Sequence, residues 1–250
     1  MTPPTSSRPA RIQLFVTCIV DSLFPHVGEA VVDVFERLGV EVRFLTEQTC
    51  CGQPAYNGGF RAESKQVALQ FLKLFEPTAP DPIVVPSGSC AAMITHAYED
   101  LFRADPANLA RARAVAARTY EFAQFLVDVL GVTDVGARFP GRLTYHASCH
   151  LLRYQHVKDQ PRALLAQVAG AELVPLTGAE ECCGFGGLFA VKHGDLSGAI
   201  LDKKIENLAA TGAPTLVGCD MSCLLHIQGG LHRDGRPVHC RHLAEILAAR

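Results

Sequence analysis

The sequence contains no tryptophan, and aromatic residues make up only 7% of it. Charge is scarce too: Asp, Glu, Lys and Arg together reach 19%, and the net charge is −2. No basic block stands out, so neither a nucleic acid nor an anionic membrane surface is an expected partner. No apolar run approaches the roughly 20 residues that a membrane-spanning helix needs. The opening stretch MTPPTSSRPAR is polar and proline-rich, unlike a signal peptide, and the expected location is cytoplasmic. Two further absences limit the chemistry. No Gly-x-Gly-x-x-Gly follows an expected strand, so there is no dinucleotide or flavin fingerprint, and hydride chemistry is assigned elsewhere. The closely spaced cysteines of ferredoxin modules and the paired Cys-x-x-Cys elements of zinc ribbons are missing as well.

What the chain does have is ten cysteines among 250 residues. In a reducing cytosol these are not expected to pair as structural disulfides, and a chain of this length with 48% hydrophobic residues can bury ordinary cores. Eight of the ten form two copies of one pattern. The first copy is Cys18, Cys50-Cys51 and Cys90; the second is Cys149, Cys182-Cys183 and Cys223. The intervening stretches are 31 and 38 residues in the first copy, 32 and 39 in the second. Four soft donors at matched spacing, made twice, point to a metal or iron–sulfur site in each half.

Hydrophobic patterning places strands over 11–18, 40–46 and 82–86, and again over 142–148, 171–176 and 214–218. Helices are expected over about 27–38 and 60–76, in two further stretches ending at Gly131, and over 195–210 and 241–249. The expected fold is α/β: two pseudo-repeated halves, residues 1–135 and 136–250, each a mainly parallel sheet flanked by helices, joined through 131–141. Every repeated cysteine falls at or soon after the carboxyl end of a strand, the edge where open α/β sheets build their sites. Ligands far apart in sequence can therefore meet in space.

The adjacent thiols are informative. Neighbouring thiolates bind one small ion only with strained geometry but can reach different irons of a larger cluster, which favours iron–sulfur over zinc. Each pair is followed by glycine: Gly52 in the first copy, Gly184 with Gly186 and Gly187 in the second. Glycines there let the backbone approach closely and turn N–H groups towards an anionic cofactor.

In VPSGSC (85–90), YHASCHLLR (145–153), CCGFGGLFAVK (182–192), TGAPTLVGCDMSCLLHI (211–227) and HLAEIL (242–247), the chain resembles the cysteine-rich CCG domain family, whose repeats carry Cys…CysCysGly…Cys-x-x-Cys. Members include the B subunit of heterodisulfide reductase and the iron–sulfur subunit of glycolate oxidase, and the likeness is greatest to members serving lactate utilization. The resemblance implies an iron–sulfur electron-transfer component of a complex oxidising L-lactate to pyruvate. It implies two partner proteins, at least one with ferredoxin-type clusters, and a cofactor of 4Fe-4S type, cubane or non-cubane. A heterodisulfide-reductase-like thiol–disulfide oxidoreductase and a zinc-stabilised, non-redox binding module are the alternatives.

The chain departs from the family pattern at three places. Ser87 and Asp220 stand where the first thiol of each Cys-x-x-Cys belongs, and Ala147 stands where the family's YHDSCH pattern has Asp. Cys219, one residue before Asp220, is a candidate fifth thiol, so the cluster is expected in the C-terminal half. For the N-terminal half a second cluster, zinc and no metal all stay open. The candidate metal ligands are thus Cys18, Cys50, Cys51, Cys90, Cys149, Cys182, Cys183, Cys219 and Cys223. His146 and His150 flank Cys149 as candidate ligands or donors to cluster sulfur, against a plain hydrogen-bonded role at a strand end. Lys192 and His193 are expected as exposed charges, and Cys240, which the repeat does not require, as a buried structural thiol.

Overall fold

In a computed structural model describing residues 8–250, two parallel sheets repeat one plan. β1 (Arg11–Leu14), β2 (Glu41–Phe44), β3 (Ile83–Val85) and β4 (Thr119–Glu121) lie in the order β2-β1-β3-β4. β5 (Arg138–His146), β6 (Ala169–Val174), β7 (Thr215–Gly218) and β8 (His239–His242) follow as β6-β5-β7-β8. The register repeats as well: Leu14 lies opposite Val84, and Tyr145, at the matching place, lies opposite Val217. The inner strands are apolar because helices cover both faces; Ile83, Val84, Val85, Leu216 and Val217 are fully buried.

The crossovers are helical. Pro25–Arg37 joins β1 to β2 and buries Val27, Val31, Val34 and Phe35 along one stripe. Its proline sits at the first position, where a missing N–H costs no hydrogen bond. Arg61–Phe75 and Gly194–Thr211 are the matching crossovers of the two halves. The second stops at Gly212, whose left-handed conformation ends a helix cheaply.

Three boundaries differ from the sequence expectation. β1 stops at Leu14, and the apolar run beyond it turns into a short helix, Cys18–Leu23. The presumed junction 131–141 already contains the start of β5 at Arg138. Residues 241–242, expected as helix, close β8. β4 and β8 themselves escape the pattern because they are short and partly polar, and each runs straight into a capping box, Glu121 with Gln124 and His242 with Glu245.

One hydrophobic core runs through both halves, from Ile12, Phe35 and Phe122 to Leu143, Leu216 and Leu247. A second, around Phe15, Phe71, Phe75 and Tyr98, belongs to the N-terminal half. The final helix, Leu243–Ala248, packs on Pro25–Arg37. There the Arg37 guanidinium donates to the carbonyls of Val135 (3.0 Å), Leu247 (3.1 Å) and Ala248 (2.7 Å), satisfying acceptors that a helix end leaves open. Nearer the strand ends the halves exchange helices. Gly88–Ala92 packs on Cys149–Arg153, and Met221–Arg233 packs on Cys18–Leu23. Gly88 permits the first approach, since a Cβ there would stand 2.6 Å from Leu151 Cβ.

Arg37→Met should lower the unfolding free energy by about 2–3 kcal/mol, the cost of charge-assisted hydrogen bonds whose acceptors then lie unpaired; urea denaturation measures it, and a loss below about 0.5 kcal/mol would deny the clamp any role. A second test concerns buried Glu121, whose carboxyl is pushed up to about 8 by burial. A folded-state pKa above the unfolded one gives stability that is complete below the unfolded value and is lost as pH rises towards the folded one. Wild type should therefore lose stability relative to Glu121→Gln as pH climbs from about 4.5 to 8, on the order of a few kcal/mol. Parallel pH–stability curves would contradict this.

Candidate metal centre

Each Cys-Cys-Gly turn is held by the crossover helix behind it. Gly52 and Gly184 adopt φ of +88° and +94°, a region that favours glycine. Buried Ser64 donates its hydroxyl to the Gly52 carbonyl (3.1 Å), and buried Ser197 does the same for Gly184 (2.8 Å). The turn so fixed points its amide at sulfur: the Gly52 N–H donates to Cys50 Sγ (3.4 Å) and the Gly184 N–H to Cys182 Sγ (3.3 Å). The fourth cysteine of each copy lies in the first turn of a helix. Ser87 caps Gly88–Ala92 and accepts from the Cys90 N–H, while Asp220 caps Met221–Arg233.

All eight repeated cysteines line one cavity of about 110 Å³, together with Gly186 and Gly187. The sequence placed one thiol set in each half; the helix exchange brings both sets to the same space. All ten cysteines are free thiols. Cys18 and Cys50 sulfurs lie 3.7 Å apart and those of Cys51 and Cys90 3.3 Å apart, far beyond the roughly 2.05 Å of a disulfide.

Crowding polarises the thiols. Cys50 is pulled down to about 3 by hydrogen bonds from Cys18 and Cys51, with the Gly52 N–H adding to the effect. Cys182 is likewise pulled far down by Cys149 and Cys183, aided by the Gly184 N–H. The donors pay the opposite way: Cys18 and Cys149 are pushed up by those same hydrogen bonds and by burial. Negative charge is therefore drawn to the Cys50 sulfur in one set and to the Cys182 sulfur in the other.

The other candidates scatter. Cys219 does not face the cavity: fully buried, its sulfur lies 3.7 Å from the Tyr145 hydroxyl. Its place in the first half is taken by Pro86. With Cys219 turned aside, each half offers four thiols to the cavity. His150 lines the cavity, half-buried, with Nδ1 3.6 Å from Cys149 Sγ and its ring stacked on Tyr154. His146 is 1% exposed, and neither ring nitrogen has a partner. One of those nitrogens and the sulfurs of Cys183 and Cys223 lie within 4.8 Å of one another. Lys192 and His193 are exposed, and Cys240 lies in β8, its thiol pushed up to about 12 by burial.

Sequence reasoning missed two groups. The first is Ser64 and Ser197, whose only signal was a matched place behind each Cys-Cys-Gly. The second is the polar bridge between halves: Asp220 accepts from the Ser89 N–H (2.8 Å) and the Ser87 hydroxyl (3.3 Å) across the junction. Ser87 and Asp220, the two residues that replace expected thiols, thus bond to each other.

The cysteine-rich domain model of the CCG type matches residues 12–95 and 143–228, the two stretches that build this cavity. The chain belongs to the CCG cysteine-rich domain family. It is similar to lactate utilization protein A of an Exiguobacterium species, 50% identical over 236 residues, 94% of this chain and 96% of that one. It is equally similar to the protein of that name from Geobacillus kaustophilus, 50% identical over 240 residues and covering 96% and 99%. The crystal structure of a hypothetical protein from Helicobacter pylori shares the fold, with a TM-score of 0.65 at 12% identity over 98% of this chain. This chain spans about half of that structure (49%).

Gly184→Ala tests the turn. The new Cβ would stand 2.7 Å from the Ser197 carbonyl at a φ of +94°, a strain of about 1–3 kcal/mol. Unfolding measurements should show that loss, with weaker metal retention. Gly198→Ala, where nothing lies within 4 Å, should be neutral or slightly stabilising in its helix. Equal effects would mean that the turn is not under this constraint.

Proposed function

We propose that this chain is the iron–sulfur electron-transfer component of a cytoplasmic complex that oxidises L-lactate to pyruvate. The observation that carries the reading is the convergence of eight thiols on one cavity in a chain half identical to lactate utilization proteins A. The donor set fits a thiophilic group: soft thiolates, glycine N–H groups aimed at sulfur and walls of buried side chains. Cys18, Cys50, Cys51 and Cys90 would hold one group, and Cys149, Cys182, Cys183 and Cys223 a second. Clusters of 4Fe-4S type bound there supply one-electron oxidation and reduction. The chain's own contribution is to hold the thiolates, to offset their charge through the Gly52 and Gly184 N–H groups, and to exclude bulk water with Phe185 and the helix starts around them.

Lactate oxidation moves two electrons and two protons, and this sequence offers no flavin or nicotinamide fingerprint. The hydride chemistry therefore falls to another protein, and the resemblance to the CCG family implies two partner proteins, at least one with ferredoxin-type clusters. No helix among the described residues is long and apolar enough to cross a membrane.

Anaerobic purification with iron, acid-labile sulfide and zinc measured per chain, and EPR on the same sample, tests the proposal. Iron and sulfide near four or eight per chain, with a signal reduced by lactate only when the partners are present, is the expected outcome. Zinc alone, with no cluster recoverable on reconstitution, would overturn it in favour of a zinc-stabilised binding module. Turnover of disulfides by the isolated chain would favour a thiol–disulfide oxidoreductase.

A further inference from the structure

The two thiol sets rest on unlike floors. Under the N-terminal set the floor is aromatic: Phe15 at the end of β1 meets Phe71 edge-on at 4.9 Å and Phe75 at 5.8 Å, in the same apolar cluster as Cys51 and Cys90. In the C-terminal half the place of Phe15 is taken by His146 and the place of Phe71 by Lys204. Both are 1% exposed. Lys204 has a partner, since its ammonium donates to the Gly178 carbonyl. His146 makes no well-formed hydrogen bond: Nδ1 and Nε2 are both buried, with the Ala179 backbone near enough to act on the ring. A neutral imidazole carries one donor and one acceptor, and leaving either unmade inside a protein is costly. A bound group that takes one nitrogen removes that cost.

The geometry supplies such a group's other contacts. A ring nitrogen of His146 and the sulfurs of Cys183 and Cys223 lie within 4.8 Å of one another. Around a tetrahedral ion, with bonds of about 2.0–2.3 Å to nitrogen and sulfur, such donors sit roughly 3.5–4 Å apart. Rotamer-scale adjustment closes the set.

We propose that His146 is a nitrogen donor to the metal group held by the C-terminal thiols, so that this half binds through a mixed imidazole–thiolate set while the N-terminal half, with Phe15 in that place, binds through thiolates alone. The proposal rests on the reading that the thiols hold metal, and it makes the two sites chemically distinct despite their matched cysteines. The imidazole joins the four C-terminal thiols as a neutral nitrogen donor, a ligand type that the N-terminal set lacks. His150, half-buried and beside Cys149, is the competing imidazole and serves as the control.

The test uses the full chain with ring-¹⁵N-labelled histidine, loaded anaerobically with iron and sulfide and studied by pulsed EPR. One strongly coupled ring nitrogen is expected in wild type and in His150→Phe, and none in His146→Phe. His146→Gln, which keeps a polar side chain, replaces the phenylalanine variant should that one fail to fold. If no cluster assembles, Co²⁺ titrated into the same metal-free protein gives the same nitrogen readout. His146→Phe should then weaken Co²⁺ binding at least ~10-fold. Nitrogen coupling with Co²⁺ but no cluster would sink the iron–sulfur reading and leave the donor assignment standing. No strongly coupled nitrogen in wild type with either metal, or coupling that persists without His146, would overturn the assignment.

Discussion

The Asp220 carboxylate, 2% exposed at the junction of the two halves, is the contact around which the rest is organised. One oxygen accepts from the N–H of Ser222 (3.1 Å) and from its hydroxyl (2.5 Å), fixing the start of the helix that carries Cys223. The other accepts from the Ser89 N–H and the Ser87 hydroxyl, at the start of the helix that carries Cys90. A single buried carboxylate thus ties together the helix starts that bear the fourth cysteine of each copy. With four donors around it, its desolvation is offset locally. A helix start can shift only if this bond set breaks, so the spacing between the thiol sets is set by hydrogen bonds and not by the cysteines themselves.

From that constraint the electrostatics follow. Thiols packed against one another cannot all ionise, and in each half the central thiol of the run, Cys50 or Cys182, takes the charge while its neighbours keep their protons. The glycine N–H groups that face Cys50 and Cys182 are the fixed dipoles that favour this choice. Metal binding would displace the retained protons, so affinity in this cavity should be strongly pH-dependent. Below the sulfurs the halves diverge: an aromatic stack under one set, a lysine and an unbonded histidine under the other. The repeated scaffold thus surrounds its two thiol sets with unlike groups.

Much of this was legible in the sequence, for identifiable reasons. The inner strands β1, β3, β5 and β7 announce themselves because burial on both faces demands apolar residues, and the cysteines fall beyond strand ends because connections must leave there. β4 and β8 were invisible because Thr119–Glu121 and His239–His242 owe their strand form to a neighbour's open edge, not to their own pattern. The matched spacing gave each thiol set but not their union, since internal spacing carries no information on how two halves face each other. That depends on Gly88 meeting Leu151 and on Asp220 meeting Ser87, pairs more than sixty residues apart. Cys219 looked like a fifth ligand because it is one residue from Asp220, yet the backbone turn at the end of β7 sends it towards Tyr145. His146 was noticed only for its nearness to Cys149; that neither ring nitrogen makes a well-formed hydrogen bond needed the fold.

Both cysteine sets open on one cavity, and on the proposed function each holds its own iron–sulfur group there. Anomalous scattering at the iron edge, from crystals grown anaerobically with reconstituted protein, tests it most directly. Iron peaks flanking a single cavity, each beside one Cys-Cys-Gly turn and both within reach of the helix starts tied by Asp220, are the predicted result. Iron bound outside that cavity, or at sites made by cysteines of different molecules, would contradict it.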